Sequence, residues 1–118
     1  MSARWDLGER LLVFAAGIVK LVESLPSSPG GRRIGDQLLR SGTAVGAHYE
    51  EAQAGESKAD FTHKLQIALK QERESLYWLR LLEVSGVVPR EHLAELVDEA
   101  TQLRAILSKA VATAKSRG

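Results

Sequence analysis

The chain has 118 residues, of which 44% are hydrophobic and 26% are charged, so we expect one folded domain over residues 1–118 rather than a disordered chain. The net charge of +1 neither favours nor excludes a polyanionic partner, and the lack of cysteine excludes disulfides and thiolate zinc sites. No segment reaches the ~18 apolar residues of a membrane span, and the first residues lack the pattern of a signal peptide. A cytoplasmic protein with no membrane partner is therefore expected.

The first half of the chain predicts two helices separated by a loop. No stretch alternates apolar and polar residues as a strand does, so the predicted class is all-α. Helix one is expected from about Asp6 to Ser24, because apolar residues recur there at spacings of three and four. Prolines and glycines at 26–31 predict the first loop, so helix two is expected to begin near Arg32 and to end near Gly55.

Helix two contains two glycines, Gly42 and Gly46, whose spacing of four places them on one helix face. Each glycine inside a helix costs about 1 kcal/mol relative to alanine. Close packing of another helix backbone against the two glycines is the expected compensation. The alternative is that they mark a loop, which the helical patterns on both sides disfavour.

Helix three is predicted from Lys58 to about Val84, with Ser57 as its N-cap and Gly86 at its end. Between residues 76 and 82 only Arg80 is charged, so this part of the helix is apolar nearly all round. One small core cannot cover so much apolar surface, and an oligomer interface is the expected explanation. The predicted interface residues are Leu76, Tyr77, Trp78 and Leu81.

Helix four is expected to have Pro89 near its first turn and to continue to the end of the sequence. Its acidic residues gather early and its basic residues gather late, which suits the helix dipole. Four long helices joined by short loops predict an antiparallel up-down-up-down four-helix bundle.

A carboxylate interrupts the apolar face of helix three. At helical spacing Glu72 falls on the same face as Leu65, Ala68, Leu76 and Leu79, where an unpaired charge would be costly to bury. Arginine can bond a carboxylate with two parallel hydrogen bonds. We therefore expect a buried structural ion pair involving Arg40, Glu50 or Glu72, and the disfavoured alternative is that Glu72 acts as a catalytic acid.

The sequence contains no recognisable constellation for catalysis, for a cofactor or for a metal. Its three histidines do not pair at helical spacing, and a di-iron bundle would need two Glu-x-x-His units. No cofactor and no enzymatic activity are therefore expected. Several basic residues are candidate phosphate contacts, and the alternative is that they are solvent-exposed helix ends. They are Arg32, Arg33, Lys109, Lys115 and Arg117.

A long run through helices two and three resembles a bacterial family. The segment 37–52, QLLRSGTAVGAHYEEA, is followed by SKADF at 57–61, KLQIALKQE at 64–72 and ESLYWLRLL at 74–82. Together these segments resemble the signature of the bacterial four helix bundle protein family, also called ribosomal-RNA intervening-sequence proteins. Two positions depart from the usual pattern, where His48 replaces asparagine and Gln71 replaces glutamate.

The resemblance implies a four-helix bundle that assembles as a ring, typically a homopentamer, with no catalytic residue to carry over. The family is also similar to the accessory variability protein of diversity-generating retroelements, a basic pentamer that binds nucleic acid and a reverse transcriptase. The first functional hypothesis is therefore a homo-oligomeric accessory protein that binds RNA or DNA. The near-neutral net charge leaves a second hypothesis open, a scaffold that binds an unknown protein and has no nucleic-acid role.

Overall fold

The computed structural model describes residues 6–117, which form four α-helices and a 3₁₀ turn and contain no strand. The elements are α1 (Leu7–Ser24), α2 (Pro29–Gln53), α3 (Lys58–Ser85), the 3₁₀ turn (Arg90–His92) and α4 (Ala94–Arg117). The predicted all-α class is confirmed. Each helix packs on its neighbours in the chain, and a smaller contact between α1 and α4 closes the bundle.

Capping side chains explain where three of the helices begin. Asp6, Ser28 and Ser57 each accept a hydrogen bond from the backbone N–H three residues further on. Helix α2 begins earlier than predicted because Pro29 occupies its first position, where a missing N–H has no consequence. Helix α3 ends at Gly86, whose φ of 72° is a left-handed conformation that glycine adopts without strain.

The start of α4 differs from the prediction. Pro89 precedes a separate 3₁₀ turn, and α4 itself begins at Ala94. The fixed φ of proline starts a turn here, but the chain must change direction before it can pack along α3, so a short 3₁₀ turn precedes α4 in place of the expected single helix start.

Leucine supplies most of the core, and all four helices contribute to it. The buried side chains lie at the helical spacings seen in the sequence, so each helix turns one apolar face inward. The largest apolar side chains with 2% exposure or less are Leu11, Phe14, Ile18, Leu38, Val45, Leu65, Leu79, Leu82, Leu93, Leu103 and Leu107.

The glycine face of α2 lies against α1. A Cβ atom added to Gly42 would come within 2.9 Å of two side-chain carbons of Ile18, which is closer than real contacts allow. A Cβ atom added to Gly46 would lie 3.4 Å from the Cβ of Leu11, a normal contact distance. Gly42 therefore marks a close approach of the two helices. Because Gly42 faces Ile18 while the later Gly46 faces the earlier Leu11, α1 and α2 are antiparallel.

Helices α3 and α4 continue past the start of α1. Arg10, one turn into α1, bonds Glu99 near the start of α4. From Glu99 the helix continues to Arg117, a further distance of about 27 Å at 1.5 Å per residue. Over this length α4 packs on the first turns of α3, where Lys58 and Phe61 share a groove with Arg117. None of the described helices combines the length and apolarity needed to cross a bilayer.

Candidate nucleic-acid interface

Four basic side chains gather where the start of α3 meets the end of α4. Lys58 occupies the first position of α3, and Lys109, Lys115 and Arg117 lie in the last turns of α4. All four are exposed. We call this group the cationic end of the bundle.

Helix stability accounts for only part of the cationic end. From residue 104 onward α4 carries basic side chains and no acidic one, and cations at the carboxyl end of a helix are favoured by its dipole. Lys58 is different, because it lies at the positive end of the α3 dipole, where a cation is disfavoured. Its position beside three cations of α4 adds repulsion, so the cluster is better explained by an anionic partner than by folding.

The charges of the cationic end are free to meet such a partner. Within residues 6–117, none of the four side chains lies within ion-pair distance of a carboxylate. The nearby Asp60 instead has its Oδ1 atom 3.7 Å from the Nζ atom of Lys64. The cationic end therefore keeps its charge exposed to solvent.

Two depressions flank the contact between α3 and α4 at this end. The larger, which we call the α3–α4 groove, has a volume of about 710 Å³ and a mainly apolar wall. Its lining residues are Lys58, Phe61, Thr62, Ile106, Lys109, Ala110, Thr113, Ala114 and Arg117. The smaller, which we call the polar pocket, has a volume of about 320 Å³ and includes His63, Gln66 and Lys115. Lys58, Thr62 and Ala114 line both.

The other two predicted phosphate contacts lie at the opposite end of the bundle. Arg32 and Arg33 are exposed in the first turn of α2, about 30 Å along that helix from Gln53, which precedes the cationic end. The guanidinium group of Arg32 also donates a hydrogen bond to the carbonyl oxygen of Ser27. The five predicted residues therefore form two separate groups, and only the α4 group shares its surface with a groove.

Arg40 has a different partner from the one predicted. Its guanidinium group pairs with Glu74 of α3 and donates a 2.8 Å hydrogen bond to Gln37, while the indole N–H of Trp78 donates to Glu74 at 2.9 Å. The Arg40 side chain is 50% exposed. The prediction of a buried ion pair involving Arg40, Glu50 or Glu72 is therefore wrong for the described residues. Arg40 pairs at the surface with Glu74, whereas Glu72 points inward and has no partner within residues 6–117. Glu50 makes no ion pair within residues 6–117.

Glu72 is fully buried and has no hydrogen-bond partner for either carboxylate oxygen within residues 6–117. Burial, and to a smaller extent the negative charge of Glu99, raises the pKa of Glu72 to about 8. Glu99 is itself held by Arg10 through two hydrogen bonds of 2.8 and 3.0 Å. Glu72 is consequently mainly protonated and neutral at pH 7, and its side chain has no surface exposed to solvent.

The predicted oligomer interface on α3 is only partly on the surface. Leu76 belongs to the core, with 7% exposure, so its assignment to an interface is wrong: the helix turns this residue towards its neighbours in the bundle. Trp78 and Leu81 are half-buried, and Tyr77 is 59% exposed and packs edge-on against Trp78 with ring centroids 5.1 Å apart.

Two exposed apolar residues on α1 were not among the named interface residues, although the broad apolar face of this helix contributed to the prediction of an oligomer. Leu12 and Val13 are each 63% exposed, as exposed as Tyr77. The broad apolar face of α1 was the available signal, but spacing alone does not show which of several apolar rows a helix buries. No three His, Asp or Glu side chains in the described part of the chain are placed to share a metal ion.

The comparisons with known proteins agree with the helical fold. A family model described as "23S rRNA-intervening sequence protein" matches residues 6–109. A crystal structure of a protein of unknown function from the S23 ribosomal protein family of Bacteroides thetaiotaomicron has a TM-score of 0.82 and 35% sequence identity, and the match covers 89% of this chain and 97% of that chain. Among curated proteins there is no match. The chain thus belongs to the 23S rRNA-intervening sequence protein family.

Proposed function

We propose that this protein is a non-catalytic, homo-oligomeric accessory protein of the cytoplasm that binds RNA through its cationic end. The observation that carries this proposal is the gathering of Lys58, Lys109, Lys115 and Arg117 from two helices, with no carboxylate paired to any of them within residues 6–117. The family description names an intervening sequence of 23S ribosomal RNA, and this association is why RNA is proposed as the polyanion.

Local rather than overall charge would drive the binding. The chain has a net charge of only +1, so the cations of α4 are offset by acidic residues elsewhere and the attraction is confined to one end. A protein that neutralises four phosphates loses affinity with a log–log salt slope of about −3 to −4. Several copies in one assembly would add their contacts and raise the affinity through multivalency.

Exposed apolar side chains support self-association. Leu12 and Val13 on α1, and Tyr77 and Val84 on α3, are each at least 59% exposed. Each of these two helices therefore presents an exposed apolar pair that can contact another chain. A homopentamer is the assembly that the family resemblance implies, and light scattering should give a mass of about five chains. A stable monomer at micromolar concentration would contradict the proposal.

The experiment that tests RNA binding is a titration with a fragment of ribosomal RNA from low to physiological salt. The double variant Lys109→Gln, Lys115→Gln should lower the affinity and make the salt slope shallower, since it removes two phosphate contacts. The matched control is Arg32→Gln, Arg33→Gln at the opposite end, which removes the same charge and should leave the affinity close to that of the wild type.

The titration can also exclude RNA binding. If the wild-type protein binds no RNA even at low salt, the RNA role is excluded and a protein scaffold becomes the better hypothesis. Recovery of one protein partner from the host after nuclease treatment would then support the scaffold. Equal losses from the two double variants would show that the cationic end has no special part in binding.

A further inference from the structure

The α3–α4 groove combines an apolar wall with a basic rim. Phe61 of α3 and Ile106, Ala110 and Ala114 of α4 form the wall, and Ile106 is 37% exposed. Lys58, Lys109 and Arg117 surround this wall. The volume of about 710 Å³ lies within the range of roughly 300–1,000 Å³ that is typical of small-molecule sites.

An apolar wall with a basic rim suits a single-stranded nucleic acid better than a duplex. A duplex presents phosphates to a protein while its bases stay stacked inside, so a basic surface without a groove is sufficient. A single strand also presents unstacked base faces, and proteins that bind it combine a basic groove with aromatic or apolar surfaces for those faces. Phe61 supplies an aromatic ring in the groove, and Thr62 and Thr113 add hydroxyl groups that can bond a base edge.

The placement of the cations favours a nucleic-acid strand over a helix as the occupant. A helix lying in the α3–α4 groove would meet only the cations on that side of the α3–α4 contact. Lys115 instead lies on the other side, in the polar pocket with His63 and Gln66. Because Lys58 lines both depressions, a chain of phosphates can pass from one to the other over the end of the helix pair.

We propose that the α3–α4 groove receives an unpaired nucleobase while the cations around it hold the adjoining phosphates, so that the protein prefers single-stranded RNA to duplex RNA. This inference rests on the proposed RNA binding and specifies the form of RNA that is bound. The apolar wall contributes the base contact, and the cationic end contributes the attraction that every RNA shares.

The first test uses the wild-type protein and three fluorescent probes that carry the same number of phosphates. The probes are an oligoadenylate strand, an abasic strand and a blunt-ended duplex without a loop. Stacking of a base on an aromatic side chain is worth ≈ 1–3 kcal/mol, so the oligoadenylate should bind on the order of tenfold more tightly than the abasic strand. The abasic strand and the duplex should share the weaker affinity.

The second test fills the groove without changing its charge. Ala114→Leu places extra carbon atoms in the groove and should reduce the affinity for oligoadenylate to that for the abasic strand, with duplex binding unchanged. Ala112→Leu is the matched control, because Ala112 is exposed on the same helix and does not line the groove. Ile106→Ser removes apolar wall without adding volume, so it repeats the test if Ala114→Leu melts at a lower temperature than the wild type.

The outcomes separate this inference from the proposed function. Equal affinities for oligoadenylate and the abasic strand would overturn the inference and leave RNA binding intact. No binding of any probe at low salt would overturn both. If Ala114→Leu instead changes the mass of the assembly, the groove is a contact between copies of the chain, and the inference is again overturned.

Discussion

Helices α3 and α4 run through both the middle of the bundle and its cationic end, but other helices cover them only in the middle. In the middle, α3 is covered on both sides, and Glu72 and Ser75 have no exposed surface. At the cationic end, α3 and α4 run past the start of α1, and Lys58 and Lys109 keep their charges in water. The comparison teaches that coverage by the other helices decides whether a polar residue on α3 or α4 is a structural cost or is available for binding.

The middle also shows how polar residues are tolerated in the core. The hydroxyl of Ser75 donates a 3.0 Å hydrogen bond to the hydroxyl of Ser41, which joins α3 to α2 inside the bundle. Glu72, one turn away, has no such partner within the described chain. Satisfied hydroxyls are accepted at little cost, whereas an unpaired carboxylate is accepted only in its neutral form.

The largest predicted effect concerns Glu72. Because its folded-state pKa of about 8 exceeds the ordinary value of 4.5, the folded protein binds more protons than the unfolded chain between these pH values. The free energy of unfolding should therefore fall as the pH rises from about 4.5 to about 8, and stay low above that. The shift corresponds to a loss of at most about 5 kcal/mol.

Glu72→Gln should remove this pH dependence, because its amide does not titrate. Urea denaturation at a series of pH values measures the difference between the two proteins, and contributions from other titrating groups cancel in that difference. The variant should become more stable than the wild type above pH 8, where the wild type buries a charge. Parallel pH profiles would mean that Glu72 is ionised or hydrated in the folded state.

The second prediction compares the two glycines of α2. Gly42→Ala should lower the free energy of unfolding by about 1–3 kcal/mol, since its Cβ would lie 2.9 Å from Ile18, a β-branched core residue with little freedom to move. Gly46→Ala, with a 3.4 Å contact, should leave stability unchanged or raise it by up to about 1 kcal/mol through better helix propensity. Thermal melts of both variants test this difference, and equal melting temperatures would contradict the close approach at Gly42.

The sequence predicted the helices well because their signals are local. Caps such as Ser57 and stops such as Gly86 act within one turn, and the described boundaries follow them. The family segment at 37–82 added the bundle architecture. What local signals could not supply was the rotation of each helix: Leu76 and Glu72 face inward while Glu74 faces α2, and this depends on how neighbouring helices pack.

The sequence predicted only part of the candidate site, because the rest depends on how the helices pack. The basic residues of α4 were identified from charge alone, but Lys58 was not, because a single lysine at a helix start carries no signal in sequence. Only the antiparallel pairing of α3 with α4 brings it beside Arg117. The separation of Arg32 from this group likewise follows from helix direction and not from composition.

A third, smaller effect is expected where α1 meets α4. Arg10→Ala removes the two hydrogen bonds to Glu99 and should lower the free energy of unfolding by about 1–2 kcal/mol. Arg40→Ala is the matched control and should cost less, because Arg40 is 50% exposed whereas Arg10 is 25% exposed. Urea denaturation of the two variants measures both losses of unfolding free energy. A larger loss for Arg40→Ala would contradict the expectation that the more buried arginine contributes more to stability.

The smallest effect on stability is expected at the cationic end. Lys115→Gln and Arg117→Gln remove exposed charges that make no ion pair within residues 6–117, so melting temperatures should match the wild type within error. Their removal should even relieve repulsion with Lys58 at low salt. RNA affinity should fall together with the salt slope in the same proteins. A loss of stability without a loss of affinity would mean that these residues belong to the structural part of the molecule, and the contrast between its middle and its end would then fail.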